Sequence, residues 1–167
     1  MLQWLMSAVG LGPPAPASGG PLTRERAGEL VRWFVRSQGA ALSPGLNAQG
    51  FGGLSLDGAQ VYFEYHEASG VLECSALVYR FSEPPKPGVI AGFEAEAAEG
   101  TDTGGGTVDY ERENRGLFLS REYTTMPVGA DFSRDMKRLG AASLVWGREV
   151  LDRVASRVFH PEELEKR

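Results

Sequence analysis

From residue 54 to residue 81 the apolar residues fall at every second position, and this change of period decides what the chain can fold into. Leu54-Ser55-Leu56 precedes Asp57-Gly58, a pair that supplies the left-handed backbone of a two-residue hairpin turn. Val61, Phe63 and Tyr65 alternate with Tyr62, Glu64 and His66, which gives one apolar and one polar face. Glu67-Ala68-Ser69-Gly70 turns the chain again, and residues 71–81 return, so the run predicts a three-stranded antiparallel meander. Ahead of it the period is helical. Ala27, Leu30, Val31, Phe34 and Val35 form one stripe, Thr23 is a suitable N-cap behind Leu22, and Gly39 supplies the stop. A striped helix and a one-faced sheet must bury each other, which makes the class α+β.

Glu83-Pro84-Pro85-Lys86-Pro87-Gly88 breaks the sheet, and Val89, Ile90, Phe93 and Ala97 then suit a short helix ending at Gly100. Residues 107–112 and 117–123 predict a second hairpin around Glu113-Asn114-Arg115-Gly116. A long helix capped by Asp131 carries Met136, Leu139, Ser143, Trp146 and Val150, and stops before His160-Pro161. Beside that stripe runs a second one, Leu144, Leu151, Val154 and Val158. This is more apolar surface than one sheet face covers, so Trp146, Leu151 and Val154 are candidates for a dimer or partner interface.

Residues 1–22 predict an appendage. Leu2, Leu5, Met6 and Val9 make one stripe of a short amphipathic helix, a candidate docking segment, and a Pro/Gly/Ala linker follows. A signal peptide competes with this reading, but no basic residue precedes the stripe, and Gln3 and Ser7 interrupt it. Residues 23–159 then form a single domain, and 160–167 a polar tail.

Composition excludes several classes. The 167 residues are 42% hydrophobic, enough for one modest core. Net charge is −5, and residues 57–115 alone carry twelve acids against four bases, which repels nucleic acid and favours a basic or amphipathic partner. Cys74 is the single cysteine, so no internal disulfide forms. No apolar run approaches the roughly 18 residues a membrane span needs. Arg outnumbers Lys fourteen to three in an Ala- and Gly-rich chain, as in a GC-rich bacterial genome, and the expected location is the cytoplasm.

Chemistry is hard to find. His66 and His160 belong to no HxxxH or CxxC spacing, Cys74 has no basic neighbour in sequence, and no metal, cofactor or catalytic residue is expected. Glu64, Glu67 and Glu73 cluster near the first hairpin, where paired carboxylates suit acid–base work and a wet sheet face explains them equally. Gly50-Phe51-Gly52-Gly53 and Gly104-Gly105-Gly106 lack the spacing and the following helix of a phosphate cradle, and read as flexible joints. Two PxxP matches, at residues 13–16 and 84–87, are of a kind common in proline-rich linkers.

The order helix, three strands, helix, two strands, long helix resembles the class I type III secretion chaperones (the Tir chaperone, CesT-like family) and the related YbjN-like domains. The likeness rests on Leu56-Asp57-Gly58 leading into Val61-Tyr62-Phe63-Glu64-Tyr65, on residues 70–77, on Thr107-Val108-Asp109-Tyr110 with Gly116-Leu117-Phe118-Leu119, and on the helix with Ala142, Trp146 and Leu151. It implies a non-enzymatic homodimer that binds an extended segment of a partner protein. It further implies a partner groove from the first helix and adjoining sheet (Leu30, Phe34, Val61, Phe63, Tyr65) and a dimer contact from the helix with Val89 and Phe93. A YbjN-like regulatory adaptor without a secretion role, and a small hydrolase or ligand-binding protein using Glu64, Glu67 and Glu73, remain the rival readings, because fold does not fix function.

Overall fold

Thr23 starts the first described helix, α1 (Arg24–Ser37), by accepting the Arg26 backbone N–H on its hydroxyl at 3.3 Å, and Gly39 leaves it in the left-handed region at φ 106°. The computed structural model describes residues 12–160, and the expected docking segment Leu2, Leu5, Met6 and Val9 lies outside them. After α1 come strands β1 (Phe51–Leu56), β2 (Ala59–His66) and β3 (Val71–Arg80), helix α2 (Val89–Ala98), and strands β4 (Thr107–Glu111) and β5 (Gly116–Tyr123). Helix α3 (Gly129–Val145), a π-helical turn (Trp146–Val150) and helix α4 (Leu151–Phe159) follow. The strands form one antiparallel sheet in the order β1-β2-β3-β5-β4. Asp57 and Gly58 both take positive φ, 50° and 89°, which is the backbone the β1–β2 turn requires. In the second hairpin Tyr110 faces Leu117 and Val108 faces Leu119. No described helix is long and apolar enough to cross a membrane.

Two expectations change at element ends. β1 begins at Phe51 rather than Leu54, because the Gly-rich stretch is tied in by the Tyr65 N–H donating to the Gly50 carbonyl at 2.9 Å. Asp131 does not cap α3, which starts at Gly129. It sits in the first turn, where its charge suits the helix N-terminus, and pairs with Arg134 at 3.2 Å.

The chain divides into two compact units. The first takes the described residues up to Leu54, with Tyr62–Cys74 and Glu122–Arg134. Its centre is aromatic: Phe34 meets Phe132 edge-on at 5.4 Å and Phe63 at 6.2 Å, and Tyr123 meets Phe132 at 5.3 Å. The segment read as a free linker is instead held in this unit. Arg26 donates to the carbonyls of Ala17, Gly19 and Pro21 at 2.6 to 3.0 Å, Trp33 Nε1 donates to the Pro13 carbonyl at 3.1 Å, and Pro21 bridges to Thr125. Prolines lack donors, but their carbonyls accept, and the donors come from α1.

The second unit takes Ser55–Val61, Ser75–Arg121 and the described residues from Asp135 onward. Phe93 of α2 stacks on Trp146 at 6.1 Å, and Trp146 Nε1 donates to the Asp102 carbonyl at 2.7 Å. Within the π turn the backbone approaches β3 closely: a Cβ on Gly147 would lie 2.6 Å from the Val78 carbonyl oxygen. Alanine in a helix gains about 1 kcal/mol over glycine. Here the clash is with backbone, so Gly147→Ala is expected to lower stability by about 1–3 kcal/mol, read as a lower melting temperature.

Candidate functional site

At the end of β3 the chain is fastened and then forced out of the sheet. Phe81 N–H donates to the Arg115 carbonyl at 2.9 Å, Arg80 donates to the Asn114 carbonyl at 2.8 Å, and the Arg115 guanidinium donates to the Ser82 carbonyl. Pro84, Pro85 and Pro87 carry no N–H and cannot extend a strand ladder, so the segment stands up as a ridge before α2. On one side of the ridge lies a cleft of about 370 Å³, walled by Tyr79 and Phe81, by Val89, and by Leu151, Ala155 and Phe159 of α4. Lys86, on the ridge, places its ammonium 4.8 Å from the centre of the Phe159 ring. On the other side a wider cleft of about 720 Å³ is lined by Ile90, Ala91, Tyr110, Arg112, Glu113 and Arg115. Tyr79, Phe81 and Tyr110 follow one another edge to face at 5.0 and 6.1 Å.

The first cleft is open and its aromatic walls are not consumed by folding. Tyr79 is 41% exposed and Phe159 45% exposed, while Leu151 is half-buried. Large apolar groups so grouped around a concavity mark a surface that can take up another apolar chain.

The cleft is held in place by an ion cluster on the two helices behind it. Glu96, one of two acids on α2, is 2% exposed. It accepts from Arg153 Nε at 3.1 Å and Nη2 at 2.9 Å and from the Thr101 hydroxyl at 2.7 Å, and pairs with Arg157 at 3.2 Å. The hydrogen bonds from Arg153 hold its carboxyl down at about 2, against the opposing push of burial. The same contact raises the Arg153 value.

The residues singled out in the sequence fare unevenly. Leu30, Phe34, Val61, Phe63 and Tyr65 are all buried within the chain, as are Val89, Phe93, Trp146 and Val154. These side chains therefore contribute to the interior of the single chain. The second stripe divides accordingly: Val154 belongs to the interior, and Leu144, Leu151 and Val158 stay half-exposed. Val89 and Leu151 touch the cleft. Tyr79, Phe81 and Phe159 were missed, and the available signal was the aromatic pair at i, i+2 running straight into the prolines. In the carboxylate cluster, Glu67 pairs with Arg24 at 2.9 Å, and Glu64 and Glu73 instead flank His66.

No family model matches the chain, and no curated protein matches its sequence. Among solved structures it is similar to a chain of the ExsC–ExsE complex, at TM-score 0.61 and 15% identity, over 76% of this chain and 95% of that one. A chain of the HopA1–SchA chaperone–effector complex matches at TM-score 0.49 and 16% identity, over 74% and 91%. The fold is therefore like that of the ExsC–ExsE complex chain: an antiparallel sheet with helices and a long C-terminal helical segment.

Proposed function

We propose that this chain is a cytoplasmic, non-enzymatic protein-binding module of the secretion-chaperone kind, a homodimer that holds an extended, amphipathic segment of a partner protein. The observation that carries the proposal is the aromatic cleft beside the proline ridge, whose Tyr79 and Phe159 remain open to solvent. An extended segment suits it because alternate apolar side chains can enter the cleft while the intervening polar ones stay wet. The fold likeness to a chain solved within a two-protein complex supports the same reading. The acidic stretch of residues 57–115 favours a partner that carries basic residues between its apolar ones.

The test compares the wild-type chain with Leu151→Asp/Phe159→Asp, using partner captured from its own cytoplasm and then purified for titration. Both side chains are partly exposed, so unchanged circular dichroism is expected. Two lost apolar anchors are expected to weaken the partner by about 100-fold, roughly 3 kcal/mol. Unchanged affinity in the double variant sinks the cleft as the binding site. Light scattering reads the dimer separately: twice 18.0 kDa is expected, and a monomer at high concentration contradicts that part.

A further inference from the structure

We propose that Glu64, His66 and Glu73 form a surface site for a divalent transition-metal ion of the Zn²⁺ class. Glu64 and His66 stand two residues apart on β2 and Glu73 stands on β3. Period-two geometry puts the first two on one face of their strand, and the β2–β3 hairpin brings the third across to them. One donor atom from each lies within 4.8 Å of the others.

His66 Nδ1 is 3.8 Å from a Glu64 oxygen and His66 Nε2 is 3.9 Å from a Glu73 oxygen, separations beyond direct hydrogen-bond reach. Ligands at about 2.1 Å around a tetrahedral ion stand about 3.4 Å apart, and only one ring nitrogen can ligate a given ion, so donors that lie within 4.8 Å of one another come together by side-chain rotation of about 1 Å. All three side chains are partly buried, at 39%, 35% and 21% exposure for His66, Glu64 and Glu73, and two ordered strands hold their backbones. One imidazole nitrogen with two carboxylate oxygens is a donor set for Zn²⁺ or a similar ion rather than for Ca²⁺ or Mg²⁺, which take oxygen alone. Three protein ligands leave a coordination position for water or for a donor from a bound molecule.

The test is calorimetric titration of the metal-free full chain with Zn²⁺. Saturable binding of one equivalent is expected, weakened by at least about tenfold in His66→Ala and in Glu64→Gln/Glu73→Gln. His160→Ala, which changes a histidine away from the trio, is expected to bind as the wild type does. A paramagnetic readout that does not depend on affinity is Mn²⁺ or Co²⁺ broadening of the His66 ring resonances ahead of those of His160. No saturable binding, or binding that survives His66→Ala unchanged, overturns the site. Matching circular dichroism spectra of the variants exclude misfolding as the cause of a loss.

Discussion

Replacing Phe34 by alanine is expected to remove about 3–5 kcal/mol of stability. Phe34 has no exposed surface, and its ring is the hub at which α1 meets Phe63 and Phe132. The loss combines the transfer free energy of a phenyl group with a cavity that Phe63 and Phe132, held on β2 and α3, cannot fill by collapsing. Total stability for a domain of this kind is about 5–15 kcal/mol, so the variant sits near the edge of folding at 37 °C. Urea denaturation followed by near-ultraviolet dichroism should show a midpoint lower by about 2 M. Because the Phe34 and Phe132 rings are 5.4 Å apart, the double alanine variant is expected to lose less than the two single losses combined. Strict additivity would mean that the ring contact contributes nothing beyond area.

Glu96→Gln is expected to cost about 2 kcal/mol, and its effect reads most clearly against pH. Glutamine keeps the volume but gives up the charge that two guanidiniums face. Loss of charged hydrogen bonds would suggest up to about 3 kcal/mol. Arg153 and Arg157 are 45% and 42% exposed, and water screening pulls the figure to the lower end. In the wild type the folded-state value of Glu96 lies at about 2, below its ordinary 4.5, so the unfolded chain takes up the proton first. The contribution is therefore complete above about pH 4.5 and drains away as the pH falls toward 2. Glu96→Gln should lie below the wild type at pH 7 and converge with it in acid. Arg153→Met should raise the folded carboxyl value and move the acid loss to higher pH. Parallel curves for wild type and Glu96→Gln across this range would show that the cluster adds no pH-dependent stability.

How much of this was legible in the sequence depended on whether the cause was local. Asp57-Gly58 announces its turn because the backbone there needs positive φ, and Ala27 to Val35 announce α1 because burial repeats with the helix. The Glu96 cluster is different. Glu96, between Glu94 and Glu99 among alanines, reads as part of a solvated helix face, and its arginine partners are 57 and 61 residues away on α4. The Pro/Gly segment also misleads, since its composition reports the donors it lacks and not the Arg26 and Trp33 donors that reach it. The cleft was half legible: the surplus stripe pointed to α4, but nothing local connected it to Tyr79 and Phe81. The His66 trio escaped because metal spacings are commonly sought at helical intervals, whereas a strand presents ligands at i, i+2 and borrows the third from its neighbour.

The π turn at Trp146–Val150 gives the helical segment two angular registers. A regular α-helix advances by about 100° per residue, so one residue accommodated in the widened turn rotates everything after it relative to everything before. Upstream of it, Met136, Leu139 and Ser143 keep time with one burial direction. Downstream, Val154 faces inward, Arg153 and Arg157 reach Glu96, and Leu151, Ala155 and Phe159 face the cleft. Deleting a single residue within the turn would therefore turn the nine residues of α4 by about 100°, carrying Leu151, Ala155 and Phe159 off the cleft wall without altering a side chain of either helix.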